Sequence, residues 1–309
     1  MIRTRSYLPM FLLAAGLTPA LYAEEPESGE NRPFDDGGAA AVSGPPGLGI
    51  LGLPAAPLTG PIVTDRPDFT ESAETIPYGH LQLEAGYTFT LDKENRVKTR
   101  DHTMPEFLLR IGLIENVELR IGWEGYSYTH TREVRREQTP EGGYRTIVDR
   151  KWEQGANDLT LGMKFKFVEQ DGIIPHFATI VEMGIPTGSA NVSPGDVEPG
   201  VVLLYAWDLN DIFTLSGNTG FFVLREGTHQ FFQTTQSVSL AYAITDKLGG
   251  YVEYFGLFPD VIGEDCSHNL NTGFTYLLTE NLQLDWRIGM GLNEQAPDFF
   301  TGIGFSIRF

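Results

Sequence analysis

From Gly79 to the last residue, Phe309, apolar side chains recur at every second position. Leu81, Leu83, Ala85, Tyr87, Phe89 and Leu91 alternate with Gln82, Glu84, Gly86, Thr88 and Thr90. Phe107, Leu109, Ile111 and Leu113 continue the pattern. So do Leu159, Leu161, Met163, Phe165 and Phe167, and later Leu282, Leu284, Trp286, Ile288 and Met290. A period of two is the signature of a strand with one apolar and one polar face. About twelve such runs fill the region, each long enough to cross a bilayer when tilted.

Alternation alone fits a soluble sandwich, whose apolar face points in, or a membrane barrel, whose apolar face points out. The connections favour the barrel. Short ones (114–116, 169–174, 209–211, 245–247 and 279–281) alternate with long ones (92–103, 131–154, 186–197, 225–229, 256–267 and 293–297). Short periplasmic turns and longer extracellular loops form that pattern in outer-membrane barrels. The polar faces carry glycines and charges of both signs, and aromatics cluster near strand ends, as at membrane interfaces. The ending Phe305-Ser306-Ile307-Arg308-Phe309 resembles the assembly signal of such barrels, which makes the barrel-assembly machinery an expected partner. The expected fold is therefore all-β, a transmembrane antiparallel up-and-down barrel of about twelve strands over residues 79–309. An even strand number places both termini in the periplasm.

The N-terminus fits export. Arg3 and Arg5 precede an apolar core, Tyr7–Leu17, too short to span a bilayer as a helix, and Ala23 before Glu24 offers a cleavage site. Residues 1–23 read as a signal peptide. Residues 24–63 are rich in Pro and Gly without periodicity and read as a flexible linker. The formal charge of -19 argues against nucleic-acid binding. The single cysteine, Cys266, excludes an internal disulfide framework.

Charges on the polar faces cannot face lipid cheaply. Glu84, Glu106, Arg110, Glu118, Arg120, Glu124, Asp158, Lys164, Lys166, Glu182, Glu253, Asp285, Arg287 and Arg308 are accordingly expected to line a narrow, charged lumen. A three-residue turn would set Arg110 opposite Arg120, so nearby Glu118, Asp158 or another carboxylate should neutralise them. No serine–histidine arrangement suits a lipase or protease, and the histidine spacing is not a metal motif. Neither catalytic residues nor a cofactor or metal are expected. The longest connection carries Arg132, Arg135, Arg136, Arg145, Arg150 and Lys151. Guanidinium forks suit phosphates, so contact with lipopolysaccharide in the outer-membrane lipid is one expectation, and a solvated loop with internal ion pairs is the other.

Residues 64–78 stand apart: polar, charged and broken by Pro67 and Pro77, they cannot form a central strand. With a periplasmic N-terminus they lie at the inner mouth, where Asp65, Arg66 and Asp68 could plug the path. The alternative is a plain lead-in. The stretch Thr64-Asp65-Arg66-Pro67-Asp68-Phe69-Thr70-Glu71, with Pro77 and the first strand, resembles the opening of an outer-membrane family named for the meta-pathway of phenol degradation. That resemblance implies a β-barrel transporter of small, aromatic or hydrophobic solutes. A barrel enzyme acting on lipid or peptide, and a closed structural or adhesive barrel, remain the competing readings.

Overall fold

A computed structural model describes residues 15–16, 52, 54–140, 142–261 and 265–309. Apart from 15–16, the expected leader, 1–23, falls outside these residues, as does most of the linker. No helix occurs among the described residues, and twelve antiparallel strands close into one barrel. They are β1 (Leu81–Glu94), β2 (Val97–Ile114), β3 (Val117–Trp123 continued by Tyr126–Gln138), β4 (Tyr144–Ala156 continued by Leu159–Val168), β5 (His176–Ile185) and β6 (Glu198–Asp208). β7 (Phe213–Glu226), β8 (His229–Ala243), β9 (Leu248–Pro259), β10 (Ser267–Thr279), β11 (Leu282–Gly291) and β12 (Phe299–Arg308) complete the wall. Each strand pairs with its sequence neighbours, and β12 closes on β1, with Gly304 opposite Gly86. Closure leaves no unpaired edge, as a strand structure in lipid requires.

The alternation decides which face is which. Leu161, Val181, Met183, Val238, Val252, Phe274, Trp286 and Ile303 are exposed. Their sequence neighbours Thr160, Ile180, Glu182, Ser237, Ser239, Glu253, Thr275, Asp285 and Arg287 are buried. A soluble sandwich would show the reverse. Apolar side chains line the outside, as lipid on the outer surface dictates, and the inside is mostly polar with an apolar patch at Ala178, Ile180, Val202 and Leu204.

The short connections share one end of the barrel. The β2–β3 turn passes through Asn116 in the left-handed region at φ 63°. Residues 54–63, within the span read as linker, are seated at this same end. Ala56 N donates to Tyr78 O (2.9 Å) and Ile62 N to Glu280 O (2.7 Å), and Ile62 is fully buried. Phe309 continues the last ladder, its amide donating to Leu81 O at 2.8 Å.

Two expected loops at the other end are strand instead. β1 and β2 run through 92–103 to a tight turn at Asn95–Arg96, both left-handed at φ 47° and 70°. Residues 131–138 and 144–154 continue β3 and β4 as a paired hairpin. The connection at 225–229 also shrinks, because β7 and β8 pair as far as Glu226 and His229. Above the lipid both faces of a strand are wet, so the apolar alternation fades while the backbone ladder goes on. Irregular connections remain at 186–197 and 292–298, and 260–261 and 265–266 lie outside the strands.

Candidate functional site

Thr64–Asp68 runs extended inside the barrel and forms no ladder with the wall. Among the described residues its backbone ladder is with Ala15–Gly16 alone. Its seat on the barrel is made through side chains and turns on three contacts.

The first is Asp65. Its carboxylate is fully buried and meets Arg110 Nη1 at 3.2 Å, Arg120 Nη1 at 2.5 Å and Lys164 Nζ at 3.1 Å. Its amide donates to both oxygens of Glu84 at 2.9 Å. Burial favours the neutral acid. The three cations outweigh it and hold the Asp65 carboxyl well below the usual carboxylate range. Arg110 and Arg120 face each other across β2 and β3, and Glu118 Oε1 accepts from both, at 2.9 and 2.8 Å.

The second contact is Arg66. It reaches Glu106 at 3.1 Å and both oxygens of Asp285 at 3.3 Å, across the β12–β1 seam. Gly86 and Gly304 make room for it: a Cβ on either would lie 2.3 to 2.6 Å from guanidinium atoms.

The third is Phe69. Its ring stacks on Phe255 (centroids 3.5 Å apart), meets Phe300 edge-on and lies under the Arg287 guanidinium at 5.6 Å. Glu253 accepts from the Phe69 amide and from Thr70 Oγ1, at 2.9 and 2.7 Å. Asp68 accepts from Ser239 Oγ at 2.8 Å, and Arg287 Nη1 donates to Pro67 O at 2.9 Å.

The segment then leaves along the wall toward the turn end. Lys164 Nζ and Arg110 Nη2 donate to Ser72 O and Glu74 O, both at 2.9 Å. Ile76 N donates to Glu118 at 2.8 Å. At the level of this segment Gln82, Glu84, Arg110, Glu118, Lys164, Ser239, Glu253 and Gln283 have no exposure at all. The interior is filled, not open.

Among the other residues expected in the lumen, Glu182 is buried beside this cluster. Lys166 sits lower, bridging Glu74 (2.7 Å) and Glu169 (2.6 Å). His176 joins those two carboxylates, a donor set able to hold a cation, but the Lys166 ammonium already sits on it. Arg308 is at the mouth, donating to Gly60 O and Asn281 Oδ1, both at 2.7 Å. Asp158 holds the 186–197 loop, accepting from Gly188 N (2.6 Å) and Ser193 Oγ (2.7 Å). Glu124 lines a small cavity under that loop with Asn157 and Glu198. Sequence reasoning missed Phe69, Glu71, Phe255 and Phe300. The two wall phenylalanines stand at inward positions, and that parity was the available signal.

The basic residues of 131–154 divide by face. Arg135, Arg145 and Lys151 stand on the face continuous with the interior and pair with Asp149, Glu137 and Glu153. Arg132, Arg136 and Arg150 stand on the outward face. Of the histidines near the loop end, His102 and His268 hydrogen-bond Tyr87 and Tyr254, and His130 stacks on Trp152.

A family model described as "Putative MetA-pathway of phenol degradation" matches residues 64–309. No curated protein matches the chain. Among solved structures, the COG4313 outer membrane channel from Pseudomonas putida F1 aligns at TM-score 0.53 and 13% identity, over 77% of this chain and 98% of that one. The translocator domain of autotransporter NalP from Neisseria meningitidis aligns at 0.48 and 11%, over 74% and 88%. At 13% identity the match to the P. putida channel is a similarity of fold.

Proposed function

The chain belongs to the family described as putative MetA-pathway of phenol degradation, and from that premise we propose an outer-membrane passive channel for small molecules, plugged by its own residues 64–76. The observation that carries this reading is that the filling of the barrel is not part of its wall. A closed structural barrel can pack its lumen with wall side chains alone. Here the wall instead presents Arg110, Arg120, Lys164 and Asp285 to a separate segment that supplies Asp65 and Arg66. A segment held by side chains can be released without breaking a ladder hydrogen bond of the barrel.

The fold relative from P. putida is described as an outer membrane channel, which supports the same reading. On this account both termini are periplasmic, the turn end faces the periplasm, and Phe309 on β12 is read by the assembly machinery. The solutes are small aromatic or hydrophobic compounds, the class that the family's description suggests, and no covalent step is assigned to the protein. Charged groups in the path would tune which solutes pass.

Proteoliposome swelling tests this. Liposomes carrying the protein should take up a small phenolic faster than a sugar of similar size. Uptake of both at the rate of protein-free liposomes contradicts it.

A further inference from the structure

Above the lipid-facing belt, the first four strands carry a sheet that separates charge by face. The register aligns their outward residues in rows. Phe89, His102, Tyr128 and Gln154 form one row, and Leu91, Arg100, His130 and Trp152 the next. Lys93, Lys98, Arg132 and Arg150 form the third, a cation on every one of four neighbouring strands. Arg96 and Arg136 lie above it on the same face.

Between Tyr87 and Asn95, Arg96 and Met104, Tyr126 and Gln138, and Tyr144 and Gln154, the outward positions hold no Asp or Glu. The opposite face of these strands holds Asp92, Glu94, Asp101, Glu133, Glu137, Asp149 and Glu153. In a chain of net charge -19, an outer face with only cations is not what composition would produce. Lys93, Arg100, Arg132 and Arg150 are exposed, and none of the third row makes an ion pair among the described residues.

Height identifies what could neutralise them. Trp152 is 72% exposed and lies in the row directly below the cationic one, and Tyr128, 42% exposed, lies one row lower, both on the outward side. Exposed aromatics of this kind mark the membrane–water interface. The third row stands four residues above Phe89, about 13 Å along the strand, beyond these interfacial aromatics. Like charges opposite one another in a ladder destabilise it, so an anion bridging them would be held by several donors at once. Arg forks bind phosphate oxygens in pairs.

We propose that the outward face formed by Lys93, Lys98, Arg100, Arg132 and Arg150 binds the phosphates of a multiply phosphorylated lipid of the outer leaflet. This docking rests on the outer-membrane reading but not on whether the barrel conducts.

The test is binding, with the full chain in detergent. Its probes are a bisphosphorylated lipid A, the same lipid dephosphorylated, and inorganic phosphate as competitor. One variant, Lys98→Gln with Arg132→Gln and Arg150→Gln, removes three outward cations. A second, Arg135→Gln with Arg145→Gln and Lys151→Gln, removes three from the inner face as a charge-matched control. The native chain and the inner-face variant should bind the phosphorylated lipid at least roughly tenfold more tightly than the dephosphorylated one, and the outward variant should lose that preference. Both variants should keep the heat-modifiable mobility of a closed barrel, because all six side chains lie outside the buried interior. Equal binding of the two lipids by the native chain overturns the proposal, as does an unchanged preference in the outward variant. Competition by inorganic phosphate at lipid concentrations overturns the lipid as its source.

Discussion

Arg110 and Arg120 stand directly opposite each other on neighbouring strands, and Asp65 of the interior segment binds both, at 3.2 and 2.5 Å. Two guanidiniums cannot share a dry ladder position without anions between them. Glu118 of the wall is one such anion, but it also lies 3.8 Å from Lys164. The wall therefore depends on the carboxylate that the segment carries. This dependence links the barrel's electrostatics to the position of the segment.

Asp65→Asn should unseat the segment. The amide keeps the shape but leaves three buried cations short of a charge, and breaking a buried pair costs about 3–5 kcal/mol. Limited proteolysis should cut within 64–76 far faster than in the native chain while the barrel stays intact. An unchanged cleavage rate would mean that the other contacts hold the segment alone.

Phe69→Ala removes a different contact of the same segment without changing its charge. It removes the stack on Phe255, the edge contact with Phe300 and the Arg287 cation–π contact. Phe69 is half-buried, so its truncation should cost less than the about 3–5 kcal/mol of a fully buried Phe. Limited proteolysis within 64–76 should again run faster than in the native chain, and an unchanged rate would show that the ring contacts do not hold the segment.

Two glycine substitutions separate close approach from strand propensity. Gly86→Ala places a methyl 2.3 Å from an Arg66 nitrogen, whereas Gly122→Ala meets Thr160 Cβ at 3.5 Å, an ordinary contact. Gly86→Ala should release the segment in the same proteolysis assay, and Gly122→Ala should match the native chain. Equal behaviour of the two would show that Arg66 does not need the space above Gly86.

The barrel was legible because lipid on one side and polar packing on the other impose a strict period of two, visible at Leu159–Phe167 and Leu282–Met290. Strand ends were less so. Beyond Leu91 and Tyr128 both faces are wet, so Asp92–Thr103 and the 131–154 span read as loops although their ladders continue. The interior charges were named because a charge cannot face lipid. Their partners were not readable in the same way. Asp65 meets Lys164 across 99 positions of sequence and Arg66 meets Asp285 across 219, and no local pattern encodes such distances. Phe69 was passed over because a lone aromatic in a polar segment has no periodicity to place it. The arginines of 131–154 separated only when cross-strand register showed which faced acids and which faced outward.

Planar-bilayer conductance of the native chain and of a variant lacking residues 64–76 tests the central claim most directly. The account predicts small or rare current steps for the native chain and steps several times larger for the deletion, since the segment occupies the path. Equal currents from the two, or none from either, would contradict it.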